Sequence, residues 1–365
     1  MSIKRFFATK DNTITNAYKE DLASTASYSN MGASDILELF SIYAQATTSS
    51  VEKSRILLQF STSELSTARS SGALPASGSV SFKLKLFNAT HSETIPKNYT
   101  ISSHVLSKEW DEGVGLDMEG YSDLDASNWI SSSFESPWST PGGDFTTGSY
   151  EGSCVVSRGV EDLEIDITPT VEAWLAETID NHGILLKLSG SLETGAQKRS
   201  YYTKRFFARG SEHFFKRPVL EAQWDSSTQD TSSLPSPYSQ ADNYVFNITN
   251  LKKKYKTHEK TKMKIYTRNK NWQPNVYTKA SIFAPVDIVD EAYYKVTRVV
   301  DNLEIVPYSH NKSPSFSKLS YNSSGSFFDL DMSLLAPNYL YEVKFLRKTG
   351  SMFIEQEESF RFRVE

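Results

Sequence analysis

The chain has 365 residues, which is enough for two domains, and 38% of them are hydrophobic and 23% charged. This composition can form packed cores and excludes disorder as the main state. The single cysteine, Cys154, excludes a disulfide framework and a zinc site built on cysteine pairs. The start lacks the apolar stretch of a signal peptide, and no run reaches about 18 apolar residues, so we expect a soluble chain without a membrane partner.

The net charge of −5 is unevenly distributed. Residues 226–365 contain 19 Lys and Arg against 15 Asp and Glu, or +4, which leaves 20 against 29, or −9, for residues 1–225. Neither part has the strong positive excess that binding to nucleic acid phosphates requires. We therefore expect no nucleic acid partner.

Strand patterns dominate the first 225 residues. In residues 79–87, Val80, Phe82, Leu84 and Leu86 alternate with polar residues, which is the period of a sheet with one solvated face. The further predicted strands are residues 54–60, 100–106, 163–167, 183–188 and 219–224.

One short helix interrupts these strands. Thr168 is placed to cap it, and Pro169 suits its first position. Apolar residues from Val171 to Ile179 recur at helical spacing, and Gly183 predicts the end. We interpret residues 1–225 as a jelly-roll β-sandwich with one short helix.

Residues 226–242 are polar, carry two prolines and predict a linker. Short strands follow in residues 243–365, which predicts an immunoglobulin-like β-sandwich and makes the whole chain all-β. A Pro337–Asn338 turn precedes Tyr341, the pattern of a tyrosine corner, in which the hydroxyl bonds back to the corner backbone. The alternative is an ordinary strand that contains a tyrosine.

The usual catalytic and cofactor motifs are missing from the sequence. Cys154 has no histidine in a recognisable setting, which favours a buried free thiol in a strand over a nucleophile. The six histidines include no pair at metal-ligand spacing. We therefore expect no enzyme, no catalytic residue and no cofactor.

Residues 111–129 form an acidic segment whose carboxylates, between 111 and 125, could supply oxygen ligands to calcium. Asp123 and Asp125 begin like a calcium loop, but Asn128 stands in place of the turn glycine and Phe134 in place of the bidentate glutamate. We favour a solvated acidic loop over an ion site, and expect no metal.

Aromatic residues accompany this segment. Trp110, Trp129, Trp138 and Tyr121 are candidates for contact with a glycan or a protein partner, because exposed rings stack on the apolar faces of sugars. The structural alternative, that these rings cover the end of the sandwich, is favoured.

A basic stretch covers residues 252–264. It could attract phosphate or an acidic partner. Alternation over residues 260–267 favours instead a hairpin whose lysines face solvent or protect an edge strand.

Motifs in residues 1–225 occur in an order that resembles the DNRLRE (disaggregatase-related) family, a carbohydrate-binding-like jelly-roll. They include Asn30-Met-Gly-Ala-Ser34, Arg55–Phe60 of the form Arg-x-Leu-Leu-x-Phe, Trp110-Asp-Glu112, Asp166-Ile-Thr168 and Gly183-Ile-Leu-Leu186. Residues 3–16 and 30–43 are also similar to structural proteins of marine contractile-tailed cyanophages.

The second resemblance implies a virion protein that is made in the host cytoplasm, is present in several copies and contacts other virion proteins. We expect a non-enzymatic structural protein of the tail, baseplate or neck, acting through protein–protein contacts. The alternative is a carbohydrate-binding module that contacts host surface polysaccharide. A polysaccharide-cleaving enzyme is a third hypothesis.

Overall fold

The structure is a computed structural model that describes residues 2–90, 98–123, 125–194, 202–230, 244–270 and 287–365. It confirms an all-β chain with few helical residues. Residues 5–222 form one compact unit, the N-terminal unit, and residues 223–365 form a second with residues 1–4, the C-terminal unit. The domain boundaries at 225 and 243 stay predictions, because residues 231–243 lie outside the described part. No helix in the described residues is long and apolar enough to cross a membrane.

The first half of the chain contains thirteen strands among its described residues. They are β1 (Ile3–Phe7), β2 (Lys10–Thr15), β3 (Ile36–Tyr43), β4 (Val51–Gln59), β5 (Ser81–Leu86), β6 (Tyr99–Val105), β7 (Ser131–Ser133), β8 (Ser136–Pro137), β9 (Gly152–Val156), β10 (Leu163–Asp166), β11 (Ile184–Leu188), β12 (Tyr202–Phe207) and β13 (Val219–Gln223). One sheet has the order β1-β13-β5-β10 and another β12-β3-β4-β11-β6-β9, with β2 paired to β4.

Strand β4 shows how the larger sheet is buried on both faces. Ile56 and Leu58 point to one face and are fully buried, as the sequence predicts. Leu57 points to the other face, together with its antiparallel partner Leu185 of β11, and both are also fully buried. The predicted alternation in β5 is confirmed, since Phe82, Leu84 and Leu86 are buried and the lysines between them are partly exposed.

The helices of this half are α1 (Thr62–Ser70), α2 (Thr168–Leu175) and α3 (Ser191–Thr194). Helix α2 begins where the sequence predicts, but Thr168 does not cap it. The Thr168 hydroxyl instead accepts a hydrogen bond from the N–H of Phe82 at 2.8 Å, which fixes α2 to β5. The helix also ends earlier than Ile179, with Glu177 at a φ of +53°.

The second half contains the remaining strands among its described residues. They are β14 (Tyr244–Ile248), β15 (Lys254–Tyr255), β16 (Lys260–Asn269), β17 (Ala292–Arg298), β18 (Leu303–Val306), β19 (Ser320–Asn322), β20 (Gly325–Asp331), β21 (Leu340–Thr349), β22 (Met352–Glu355) and β23 (Phe360–Val364). One sheet has the order β14-β16-β20-β19 and the other β15-β23-β21-β17-β18, with β22 paired to β21. Aromatic rings from both sheets meet in the core. The ring centres of Phe328 in β20 and Phe345 in β21, for example, are 6.2 Å apart.

The tyrosine corner is confirmed. The Tyr341 hydroxyl donates a 2.9 Å hydrogen bond to the carbonyl of Ala336, and the ring is fully buried. Burial raises the pKa of Tyr341 to about 12, so the hydroxyl keeps its proton and remains a donor at neutral pH.

Of the two roles expected for the lysines of the basic stretch, exposure to solvent is confirmed and protection of an edge strand is wrong. Lys260, Lys262 and Lys264 face solvent as predicted, while Met263 and Ile265 between them are buried. Strand β16 is not an edge strand, however, because it pairs with β14 on one side and β20 on the other. The lysines therefore do not protect an open strand edge.

Candidate functional site

The three candidate tryptophans belong to the segment that connects β6 with β9, and their rings face the larger sheet. Trp110, Trp129 and Trp138 pack with Leu57 and Leu185 on one face of the larger sheet. All three are buried, Trp110 to 1% exposure. They form one cluster, and their burial closes the sheet face below them.

Two of the three indole N–H groups of this cluster donate to backbone carbonyls within the fold. Trp110 Nε1 donates to the carbonyl of His182, and Trp138 Nε1 donates to that of Asn128, each at 2.9 Å. The expectation that Trp110, Trp129 and Trp138 contact a glycan or partner is thus corrected, because a ring buried in a core offers no face to a sugar. Tyr121 is exposed, and its role stays a prediction.

Arg55 lies beneath the cluster, with its guanidinium 5.2 Å from the Trp129 ring centre. It donates to both carboxylate oxygens of Glu193, at 2.7 and 3.0 Å, and to the carbonyl of Gly142. Burial acts to raise the pKa of Glu193, but the hydrogen bond and charge of Arg55, with the charge of Lys187, keep it below its usual value. This buried ion pair is satisfied within the fold.

Asn30 connects two loops at this end of the N-terminal unit. Its Nδ2 donates to the carbonyls of Glu112 and Ser127, both at 2.8 Å. Its Oδ1 accepts from the N–H of Gly32 at 3.1 Å and of Gly115 at 2.9 Å. All four hydrogen-bonding positions of the amide are used, so the side chain fixes the path of the acidic segment.

A second connection joins the acidic segment to the loop after β12. Arg209 binds Glu112 through two nitrogens at 2.6 and 3.0 Å, and its backbone N–H donates to Asp11. Burial raises the pKa of Asp11 to about 7, against the lowering effect of that hydrogen bond. Three segments distant in sequence are therefore coupled through two carboxylates and one arginine.

The loops that are fixed in this way expose large apolar side chains. Lys19 donates to the carbonyl of Glu119 and Ser29 to that of Met118, so residues 19–29 lie against residues 114–121. We define the acidic apolar surface as the exposed residues of these loops: Leu22, Tyr28, Val114, Leu116 and Tyr121, with the acids Glu20, Asp21, Asp117, Glu119 and Asp125. Val114 is the most exposed of the apolar residues, at 76%.

Aromatic and cationic side chains gather at a neighbouring position. The ring of Phe214, 45% exposed, lies 4.5 Å from Phe7 and 5.1 Å from Phe215. Lys216 stands over the Phe207 ring at 5.1 Å. We define the aromatic–cation surface by its members: Phe7, Phe207, His213, Phe214, Phe215, Lys216 and Arg217.

Sequence reasoning missed this surface, although a signal for it exists. Lys-Arg-Phe-Phe-Ala occurs at residues 4–8 and again at 204–208, and Phe-Phe-Lys-Arg follows at 214–217. The three segments supply all the phenylalanines of the aromatic–cation surface. Asn30 and Arg209 were also missed as structural centres, because nothing in the sequence pairs them with residues about a hundred positions away.

A cavity of about 430 Å³ lies beside the end of helix α2. Ser107, Thr147, Tyr150, Asp180 and His182 line it, and none of these five side chains has a hydrogen-bond partner among the described residues. An adjoining cavity shares Tyr150. The volume lies in the range of small-ligand sites, and the unused donors and acceptors suit a polar, uncharged ligand.

The acidic segment uses several of its carboxylates to stabilise turns. Asp117 accepts from the N–H groups of Glu119 and Gly120, and Asp123 from that of Asp125. Among the described residues, no three His, Cys, Asp or Glu side chains are grouped so as to hold a metal ion. Cys154 lies in strand β9, as predicted for its strand position, but is half-buried rather than buried.

Comparisons with known proteins do not identify a family. No protein-family model matches the sequence, and no curated protein does. Three solved structures illustrate the level of structural similarity. A DUF4785 family protein of Legionella pneumophila is 10% identical over 99% of this chain and 64% of its own length, with a TM-score of 0.19. A β-glucuronidase of Parabacteroides merdae is 11% identical over 85% of this chain and 28% of its own, also with a TM-score of 0.19.

The third is the tripod from the baseplate of bacteriophage Tuc2009, which is 10% identical over 98% of this chain and 99% of its own, with a TM-score of 0.17. This chain thus spans less than two thirds of the length of the first two proteins. Scores at this level support no conclusion about function, and the DNRLRE and cyanophage resemblances stay predictions.

Proposed function

We propose that this chain is a non-enzymatic structural protein of a tailed-phage particle, in its tail, baseplate or neck, and acts through protein–protein contacts. The observation that carries the proposal is the acidic apolar surface. Its large apolar side chains are exposed on loops fixed by Asn30 and Arg209. Grouped exposed apolar side chains mark interaction sites, and loops that are already ordered lose little entropy on binding.

The resemblance of residues 3–16 and 30–43 to cyanophage structural proteins supports the particle as the place of action. The test is mass spectrometry of purified particles of the phage that encodes the chain. Peptides from both units should appear in constant ratio to the other structural proteins through a density gradient. Their absence from particles that contain the full set of other structural proteins would contradict the proposal.

A pair of variants tests whether the chain enters the particle through its acidic apolar surface. Leu116→Asp and Val114→Asp together place charge at the two most exposed aliphatic residues of that surface and should lower the chain's content in particles. Val155→Asp and Val160→Asp make the same change at two exposed valines outside both defined surfaces and should leave incorporation unchanged. Equal loss in both variants would show that the acidic apolar surface has no special role.

A second candidate function, binding of host surface polysaccharide, is supported by the cavity beside α2. Hydroxyl, carboxylate and imidazole groups that line it and have no side-chain hydrogen bond within the described part of the chain lie next to the Tyr150 ring and match the mixed polar and apolar faces of a sugar. Retention on a glycan panel should be lost with Tyr150→Ala and Asp180→Ala. It should persist with Tyr28→Ala, an exposed tyrosine elsewhere on the same unit. No retention of the wild-type chain would exclude this function.

A further inference from the structure

We infer that two copies of this chain associate through the end of the N-terminal unit, with the acidic apolar surface of each copy on the aromatic–cation surface of the other. The inference rests on the proposed function in protein–protein contact and identifies the partner as a second copy. It follows from where the two surfaces lie, what side chains they expose and how their charges compare.

The two surfaces lie side by side on one end of the unit. Arg209, which lies between Phe207 and His213 of the aromatic–cation surface, binds Glu112, two residues before Val114 of the acidic apolar surface. The N–H of Ala208 donates to the carbonyl of Asp35 at 2.8 Å, and the N–H of Ala33 to that of Gly115 at 2.9 Å. Residues 33–35 therefore connect the segments that carry the two surfaces, which makes the surfaces neighbours.

Both surfaces offer apolar area of the kind that dominates protein interfaces. The acidic apolar surface exposes aliphatic residues, of which Val114 and Leu116 have the largest exposed fractions, 76% and 51%. The aromatic–cation surface exposes Phe214, whose ring is supported by Phe7 and Phe215. Aromatic rings and cations packed against aliphatic side chains are typical of interface centres.

The charges of the two surfaces are opposite. Residues 17–28 and 111–125 carry eight acids and one base, Lys19. Glu112 is paired with Arg209 and Asp111 lies 3.9 Å from Lys10, which leaves Glu20, Asp21, Asp117, Glu119, Asp123 and Asp125. On the aromatic–cation surface, Lys216 forms no ion pair with any described residue, while His213 packs on the Phe207 ring and lies 3.7 Å from the carboxylate of its neighbour Glu212. Lys216 and Arg217 outnumber Glu212, the one acid in residues 212–217. A cationic surface within a part of the chain that carries −9 fits an acidic partner, and the chain displays one itself.

Two complementary surfaces on the same end of a molecule satisfy the requirement of a two-fold contact. In such a contact, surface one meets surface two of the partner, and the reverse contact forms at the same time. Both apolar surfaces are then buried and neither remains open for further growth. We therefore expect a closed dimer rather than a chain of copies.

The test is sedimentation of the full chain, with charge reversal on each surface. Variant one carries Glu20→Lys and Asp125→Lys, and variant two carries His213→Glu and Lys216→Glu; all four side chains are exposed or half-buried. The wild-type chain should be a dimer at about 100 μM in low salt and dissociate as salt is raised. Each variant alone should raise the dimer dissociation constant by about tenfold or more.

Mixing the two variants gives the decisive result. In a mixed dimer, the lysines of variant one face the glutamates of variant two, while the unchanged surfaces of each also remain complementary. An equimolar mixture should therefore regain the dimer, which shows at the same time that both variants are folded. The matched control, Lys253→Glu with His258→Glu on exposed residues of the C-terminal unit, should dimerise like the wild type.

Three outcomes would overturn the inference: a wild-type chain that stays monomeric, variants that dimerise unchanged, or a mixture that remains monomeric. A series of growing oligomers would overturn the two-fold arrangement. Failure of the dimer inference is distinguishable from failure of the proposed function. A chain that is monomeric in solution can still be found in particles, and a chain that dimerises can be absent from them.

Discussion

The two units cover their sheets in different ways. In the N-terminal unit, one face of the larger sheet lies under a long segment with little regular structure, fixed by Asn30, Arg55 and Arg209. In the C-terminal unit, two sheets pack aromatic rings against each other, and Tyr341 closes a corner. The difference shows that an irregular segment can be as well ordered as a strand when its polar groups are paired. Its stability then depends on a few ion pairs and side-chain hydrogen bonds, so the loss of one of them has a large effect.

The pH dependence of stability should separate the two units most strongly. Asp11 in the N-terminal unit is buried, and its pKa is raised from 3.8 to about 7. The folded unit keeps this proton to higher pH than the unfolded chain. The resulting contribution to stability is fully present below about pH 4 and lost as the pH rises to about 7, a change of about 4 kcal/mol at most.

Asp11→Asn should remove most of this decrease, since an amide does not ionise and its oxygen can still accept from Arg209. The measurement is urea unfolding followed by tryptophan fluorescence from pH 4 to 8, because Trp110, Trp129, Trp138 and Trp174 lie in the N-terminal unit. The same slope in wild type and variant would assign the pH dependence to other groups.

Gly115→Ala should break the connection between the two loops at Asn30. A Cβ at residue 115 would lie 1.9 Å from the backbone carbonyl oxygen of Asn30, which cannot move without displacing its loop. We expect a loss of about 3 kcal/mol. Gly120→Ala is the matched control in the same segment, because its Cβ would meet only Asp117, at 3.6 Å. Chemical denaturation that shows equal losses in both would contradict the tight packing.

Tyr341→Phe tests the corner of the C-terminal unit. Removal of the hydroxyl leaves the Ala336 carbonyl without this partner in the core, so we expect a loss of about 1–2 kcal/mol. Tyr339→Phe removes the hydroxyl of an exposed neighbour and should change the free energy of unfolding little. Calorimetry should assign the Tyr341→Phe loss to one transition only; a shift of both transitions would show that the units do not unfold separately.

The smallest effect is expected on the outer face of β16. Lys262 is exposed and stands 4.1 Å from the Phe327 ring centre. Lys262→Ala should cost about 0.5 kcal/mol, the usual value of an exposed cation–π contact. A loss above that of Tyr341→Phe, measured by denaturation under the same conditions, would mean that this face contributes as much as the core of the unit.

Sequence reasoning predicted the regular parts of both units because their signals are local. Alternation identified β5, and the spacing around Tyr341 identified the corner. Local rules failed where a side chain has a distant alternative partner. Thr168 has the chemistry of a helix cap, but its hydroxyl binds β5, a competition that the local sequence does not reveal.

The candidate site was less predictable than the fold. The tryptophans were identified by residue type, and their burial confirms the structural alternative that the sequence favoured. The details of that burial could not be predicted, because the segment that contains them has no hydrophobic periodicity. The sequence analysis missed strand β12 and the aromatic–cation surface. Phe206 is buried and its neighbour Phe207 is half-exposed, and this difference is set by the pairing of β12 with β3. Two adjacent phenylalanines do not reveal that pairing.

The bonds of Asn30 join residues 82 and 97 positions apart, and Arg209 joins Glu112 across 97 positions. Contacts of such separation form late, after the intervening chain has been synthesised and closed. A nascent chain that has not yet reached residue 209 cannot present the acidic apolar surface in its final shape. If copies associate as inferred above, newly made chains should be unable to associate on the ribosome and should gain that ability only after residue 209 has been added and its contacts with Glu112 have formed.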